Sequence, residues 1–200
     1  MQRHYSTSGI GTLSYWDMQS GRYGALGHPI TDSDTGSIID VKDGSVIKSN
    51  IIGVSAGSNG SPGEVIGSFS SNGEKWGDID INCEFGIYGD ASGMPNNSIY
   101  PDGLPIGRAE EVRTGAAEIL CTVTDEGISA YECEIVKLFP KDESGSKGIV
   151  LKVTSSELIQ ITGGIVQGMS GSPIIQDGKL VGAVTHVLVN DPTRGYGIFI

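Results

Sequence analysis

The apolar positions of this chain fall in short blocks divided by turn signals. SIIDV, SVIKSNIIGVSA, EVIGSF, AAEILCTVT, SAYECEIVKLF, GIVLKVT and KLVGAVTHVLV are such blocks, each too short for a long helix. Several alternate at period two, as in Tyr131-Glu132-Cys133-Glu134-Ile135, the pattern of a half-buried strand. Between the blocks stand SDTG, KDG, GSNGSPG, SNGEKWG, DASGMPNN, TDEG, KDESGSKG and QDGK. Their Gly, Asp, Asn and Ser content is turn chemistry. Asp177-Gly178 within QDGK predicts a two-residue hairpin. Many short strands without alternating helical segments predict an all-β barrel or sandwich rather than α/β units. One stretch reads helical, from Ser155 through Glu157, Leu158 and Ile161 to Thr162. Its serines offer a cap at the start, and Gly163-Gly164 offers a stop. The Pro-, Gly- and Asn-rich segment from Asp90 to Gly107 predicts the connection between two lobes. YGIFI at the end is strand-like and has no polar tail, as expected of a piece of a longer protein.

Composition narrows the class. The chain has 200 residues, enough for one domain or one two-lobed β unit. Thirteen Lys and Arg against twenty-four Asp and Glu leave a formal charge of −11, which argues against a nucleic-acid partner. No run approaches the ~18 apolar residues of a membrane span, and the polar start MQRHYSTSG has no signal core. The three cysteines, Cys83, Cys121 and Cys133, lack C-x-x-C spacing, so neither zinc nor a disulfide framework is expected. They read as small buried apolar residues. Cys121 and Cys133 lie on adjacent strand-like blocks, and whether they pair is open. Asp32-Ser33-Asp34-Thr35-Gly36 begins like a calcium loop but puts Ser37 at position six and Asp43 at position twelve. The template needs Gly and Glu there. Gly57 to Gly63 has no Lys-Ser or Lys-Thr after it and is no phosphate loop. No metal and no cofactor are expected.

The sharpest chemical signal is Gly168-Met169-Ser170-Gly171-Ser172-Pro173, followed by a strand, the QDGK turn and a second strand. A serine alcohol needs a base to take its proton and donors to hold the oxyanion that forms. Glycines at 168 and 171 permit a tight turn that aims the Gly168 and Ser170 N–H groups into one hole. The bland reading is a Gly-Ser turn before a hairpin. Three histidines are available as the base. His4 lies in a start expected to fray. His186 lies inside AVTHVLV and reads as a core or hydrogen-bonded residue. His28, in Gly24-Ala25-Leu26-Gly27-His28-Pro29, ends an apolar block where a base can face a cleft. Its pairing with Ser170 puts the base in the first half and the nucleophile in the second.

The blocks GIGTLSYWD, YGALGHPITDSDTG, TGGIVQGMSGSPIIQDGKLVGAVTHVLVNDPT and GYGIFI together resemble the peptidase domain of the SpoIVB peptidase family, stage IV sporulation protein B. The resemblance spans nearly the whole chain and is densest from Thr162 to Gly197. It implies a chymotrypsin-like serine endopeptidase of two β-barrels, with a first lobe at 1–~95 holding His28 and a second at ~105–200 holding Ser170. It implies Ser170 as nucleophile, His28 as general base and the backbone N–H groups of Gly168 and Ser170 as oxyanion hole. It further implies self-cleavage and cleavage of a regulatory membrane protein, the regulator of a membrane-embedded metalloprotease, in signalling that activates a late sporulation sigma factor. The full-length family protein carries a membrane anchor and a PDZ domain in cis, and works in the membrane-associated space around the forespore.

The family's third catalytic member is an aspartate in a V-T-D-P context. Here the chain reads Val153-Thr154-Ser155-Ser156, so the acid's place falls on Ser155. A serine can accept the imidazole N–H but carries no charge to stabilise an imidazolium. Replacing the acid by its amide in the well-studied triad drops turnover by about 10⁴. Three arrangements follow: a Ser–His dyad with Ser155 or a water beside it, a relocated acid, or a decayed site. The dyad is preferred, and Asp34 and Asp80 stand in reserve as acids, ahead of their neighbours Asp32 and Asp78. The rival from another class is a catalytically silent β-barrel module that binds peptide segments. An esterase is disfavoured, because Ser170 lies between strands rather than on a strand–turn–helix elbow.

Overall fold

The computed structural model describes residues 8–69, 73–93, 97–139 and 145–200. His4 lies outside them, as do parts of the connecting segment and of two turns. The chain is all-β around one short helix. The first half contributes β1 (Tyr15–Trp16), β2 (Arg22–Leu26), β3 (Ser45–Ile47), β4 (Asn50–Ser55), β5 (Glu64–Ser68), β6 (Lys75–Asp78), β7 (Ile81–Cys83) and β8 (Gly86–Asp90). The second contributes β9 (Gly115–Cys121), β10 (Ser129–Leu138), β11 (Ile149–Val153), the helix α1 (Ser156–Thr162), β12 (Pro173–Gln176), β13 (Lys179–Leu188) and β14 (Asp191–Phe199).

The second half closes on itself. Its six strands form an antiparallel barrel in the order β10, β11, β14, β13, β12, β9. Closure removes sheet edges and gives one continuous interior. Ile119, Ile135, Ile149, Leu151, Ile174 and Val184 fill that interior. The alternation in β10 behaves as read: Tyr131, Cys133 and Ile135 are buried while Glu132 and Glu134 are exposed. The β12–β13 hairpin turns at Asp177 and Gly178, both at positive φ (52° and 71°), as a tight primed turn requires. α1 begins where its sequence predicts. Ser155 is its N-cap, with Oγ accepting the Leu158 N–H at 3.2 Å, and Gly163 ends it in the left-handed conformation.

The first half is built differently. β1, β2, β8 and β7 form one four-stranded sheet, while β3–β6 and β4–β5 are separate ribbons. Only Tyr23, Leu26 and Val65 are buried apolar residues among the described ones there. Two of these pack on the other half: Leu26 clusters with Ala183 and Ile198, and Val65 joins the barrel core.

The cysteines are free thiols. In the β9–β10 register Cys121 faces Ser129 and Cys133 faces Ala117. Four residues of strand, about 13 Å, separate the two sulfur-bearing positions along the hairpin, beyond the reach of a disulfide. Burial pushes both thiols up to about 12. No helix among the described residues is long and apolar enough to cross a membrane.

Candidate active site

The loop that carries Ser170, residues 167–172, is clamped from four sides. Buried Met169 anchors it from below. Behind it, the Gly171 N–H donates to Val184 O at 2.8 Å and the Val184 N–H donates to Ser172 O at 2.9 Å, fixing the loop to β13. On one flank β5 adds a short parallel contact: Val65 N–H to Gln167 O at 2.8 Å and Gln167 N–H to Gly63 O at 2.9 Å.

On the other flank runs an N-terminal strap. The Thr12 N–H donates to Ser170 O at 2.9 Å, and the Thr12 hydroxyl donates to Gly168 O at 3.2 Å. The buried Ser14 hydroxyl donates to Gly171 O at 2.7 Å and accepts the Leu26 N–H at 2.9 Å. A single Oγ thus ties the Ser170 loop to the end of β2. Nothing in the sequence marked Thr12 or Ser14, because their partners lie more than 150 residues away.

His28 stands just beyond β2. Gly27 at φ 124° bends the chain out of the strand, and its N–H donates to Phe85 O at 2.9 Å. Asn82 then holds the loop after His28. Its Oδ1 accepts the Ile30 N–H at 2.8 Å, and its Nδ2 donates to Ile30 O and Ile39 O at 2.8 and 2.9 Å. These constraints bring His28 Nδ1 to 2.8 Å from Ser170 Oγ, across 142 residues of sequence. Desolvation, and then the Lys147 charge, hold the imidazole below its ordinary range. A neutral imidazole is the form that can take a proton.

Two backbone donors flank the serine. The Gly168 and Ser170 N–H groups meet no hydrogen-bond acceptor among the described residues, whereas those of Gln167, Met169, Gly171 and Ser172 all do. Gly168 and Gly171 both take positive φ (94° and 92°), and a Cβ at Gly171 would collide with Thr12 O. That backbone leaves two unspent donors beside Oγ, the chemistry an oxyanion needs.

The remaining candidates are not gathered there. The Ser155 hydroxyl is spent on capping α1 and makes no hydrogen bond to His28. Asp80 pairs with Arg22 at 2.7 Å. Asp34 sits in an exposed turn, its N–H donating to Asp32 Oδ1 at 3.0 Å. Asp32 Oδ1 also accepts from Thr35, and those bonds hold its carboxyl below the usual range. No carboxylate among the described residues forms a hydrogen bond or ion pair with His28. What does touch it is a second imidazole. The rings of His28 and His186 lie with centroids 4.3 Å apart at 69°, edge to face. The period-two pattern of β13 gives no hint of this, because the contact joins the two halves of the chain.

No group of three or more His, Cys, Asp or Glu among the described residues could hold a metal ion. Near the loop an apolar cavity of about 1410 Å³ opens between the halves. Its wall includes Trp16, Phe85, Tyr88, Ile106, Leu180 and Gly168, but neither His28 nor Ser170.

No curated protein matches the chain. The family model described as SpoIVB peptidase S55 matches residues 3–200. A match over almost every residue, on an all-β frame with a closed six-stranded barrel, shows that this chain belongs to the SpoIVB peptidases, serine peptidases that hydrolyse peptide bonds.

Proposed function

We propose that Ser170 is the nucleophile of this peptidase and His28 its general base. The observation that carries this reading is the 2.8 Å approach of His28 Nδ1 to Ser170 Oγ beside two unspent backbone donors. With Nδ1 facing the serine, the active tautomer carries its proton on Nε2. Nδ1 takes the Oγ proton as Oγ bonds to the scissile carbonyl carbon. The carbonyl oxygen becomes an oxyanion between the Gly168 and Ser170 N–H groups. The imidazolium returns its proton to the departing amine, leaving an acyl-enzyme on Ser170. Water, deprotonated by the same Nδ1, then releases the acid and restores the serine.

Family membership supports a role in sporulation signalling. In that role the peptidase cleaves itself and a membrane protein that regulates a membrane-embedded metalloprotease, ahead of late sigma factor activation. It acts in the membrane-associated space around the forespore, with a PDZ domain in cis in the full-length protein.

The test is the intact mass of the folded chain after a fluorophosphonate, beside Ser170→Ala. A single adduct on the parent, absent from the variant, is expected. A folded parent that takes no adduct overturns the catalytic reading. It would favour the silent peptide-binding module, for which the lack of a carboxylate at His28 is the supporting observation.

A further inference from the structure

The base of a serine peptidase needs something behind it to fix its ring and tautomer. Among the described residues no acid fills that place. Ser155 caps a helix, Asp80 is paired with Arg22, and Asp34 lies in a turn. His186 is the side chain packed against the His28 ring. It belongs to β13, the strand whose Val184 also pins the nucleophile loop, so its backbone position is set by the same hydrogen bonds that place Ser170. Its Nδ1 is buried with no hydrogen-bond partner among the described residues. An unsatisfied buried ring nitrogen in a well-packed barrel calls for an explanation.

We propose that His186 is the positioning residue of this active site, a neutral imidazole that fixes the His28 ring plane by packing against it, a task the triad pattern gives to a carboxylate. The inference rests on His28 acting as the base for Ser170. Edge-to-face packing at 4.3 Å restricts the ring to a narrow range of tilt and keeps Nδ1 aimed at Oγ. For this His186 must stay uncharged, since a second cation would oppose the imidazolium that forms on His28. Its surroundings keep it so. Desolvation first, then the charges of His28 and Lys147, push it down to about 4. Among the described residues, the titratable groups facing the pair are Lys147, from the 3₁₀ turn at Gly145–Lys147, and Tyr196, opposite His186 on β14. The Lys147 ammonium lies 5.4 Å from the Tyr196 ring, which keeps that charge beside the imidazoles. Neutral His186 supplies packing without a negative charge, so among the described residues the site is a Ser–His–His arrangement without the electrostatic help of an acid.

The experiment compares the parent with His186→Ala, His186→Phe and His186→Asn by two readouts. One is the rate at which a fluorophosphonate labels Ser170 as a function of pH. The other is the NMR titration of the His28 imidazole, which needs no activity. His186→Ala is expected to slow labelling roughly 10–100-fold, the scale of a small misplacement of reacting groups. It should also move the His28 titration upward, toward an ordinary imidazole. His186→Phe restores the ring and should recover most of the rate. If His186→Ala does not fold, the same shift in His28 is expected in His186→Asn, with slowed labelling. Unchanged rate and unchanged titration overturn the proposal. So does an equal loss in the Ala and Phe variants with His28 titrating as in the parent, because the loss would then bypass the base. A parent that takes no label while His28 still shifts on mutation counts against Ser170 as the nucleophile, not against the contact between the histidines. A His28 titration indifferent to His186 overturns the contact's role whatever the labelling shows.

Discussion

Between Gly27 and Ser170 there is no room for a methyl group. A Cβ built on Gly27 would run into the Ser170 hydroxyl, and at φ 124° the position is one that side-chain-bearing residues avoid. The chain that delivers His28 is therefore pressed against Ser170 by its bare backbone. Gly27→Ala should push Oγ away from His28 Nδ1 and cut the fluorophosphonate labelling rate by roughly 100-fold or more. The barrel lies on the far side of the loop, so a cooperative thermal transition should persist. Parental labelling by Gly27→Ala would show that the contact is not needed.

Ser14 carries a prediction of the opposite kind. Its hydroxyl satisfies the Leu26 N–H and the Gly171 carbonyl at once. Ser14→Ala leaves both buried groups short of a partner, at a cost of about 1–3 kcal/mol. The urea midpoint should fall accordingly, and labelling should slow because the tie between the end of β2 and the Ser170 loop is lost.

Ser155 separates a structural from a chemical role. Its Oγ accepts the Leu158 N–H at the start of α1. Ser155→Ala should cost about 1 kcal/mol of stability, as for a lost N-cap, and leave serine labelling unchanged. Ser155→Asp replaces one good cap by another, so stability should hold. Its labelling rate should also match the parent. A large acceleration in Ser155→Asp would instead mean that the new carboxylate reaches His28.

The imidazoles set the pH behaviour. As the proposed base, His28 works while neutral, and desolvation and Lys147 lower its pKa. The acid limb of the labelling rate should therefore lie at lower pH than an ordinary imidazole would give. Lys147→Gln removes a cation that disfavours protonation, so the limb should move to higher pH. Stability follows the same sign. His186 titrates near 4 in the folded chain and near 6.5 when unfolded. Between those values the unfolded chain binds more protons, so this contribution is present above about 6.5 and is lost as pH falls toward 4. Urea midpoints across that window should show a slope that His186→Asn flattens.

Local chemistry carried most of the sequence reading. Asp177-Gly178 specifies a turn that only positive φ can make, and Ser155 with Gly163 brackets a helix; each signal lies within a few residues of what it determines. The alternation in β10 marks a strand with one wet face. Ser170 could be singled out because Gly168 and Gly171 permit the turn that presents it, and His28 because it ends an apolar block at a strand end. The surroundings of His28 were not legible. Ser155 occupies the acid's place in the sequence pattern, yet its hydroxyl is committed to a helix cap. His186 looked like a strand residue, because its partner ring comes from the other half of the chain. Thr12 and Ser14 were equally hidden, as polar residues whose acceptors are carbonyls of the nucleophile loop.

The uneven interiors of the two halves bear on how the protein fails. Of the three buried apolar side chains among the described residues of the first half, Leu26 and Val65 pack against the second, leaving Tyr23 as that half's own. Stability of this kind is local, and the part with the least buried surface opens first. On warming, the histidine-bearing half should come away from a barrel that is still folded, so catalysis and melting become separable events. Turnover would then report the grip between the halves, while the higher of two transitions in circular dichroism would report the barrel. Any peptide that spans both halves would raise the first temperature without touching the second.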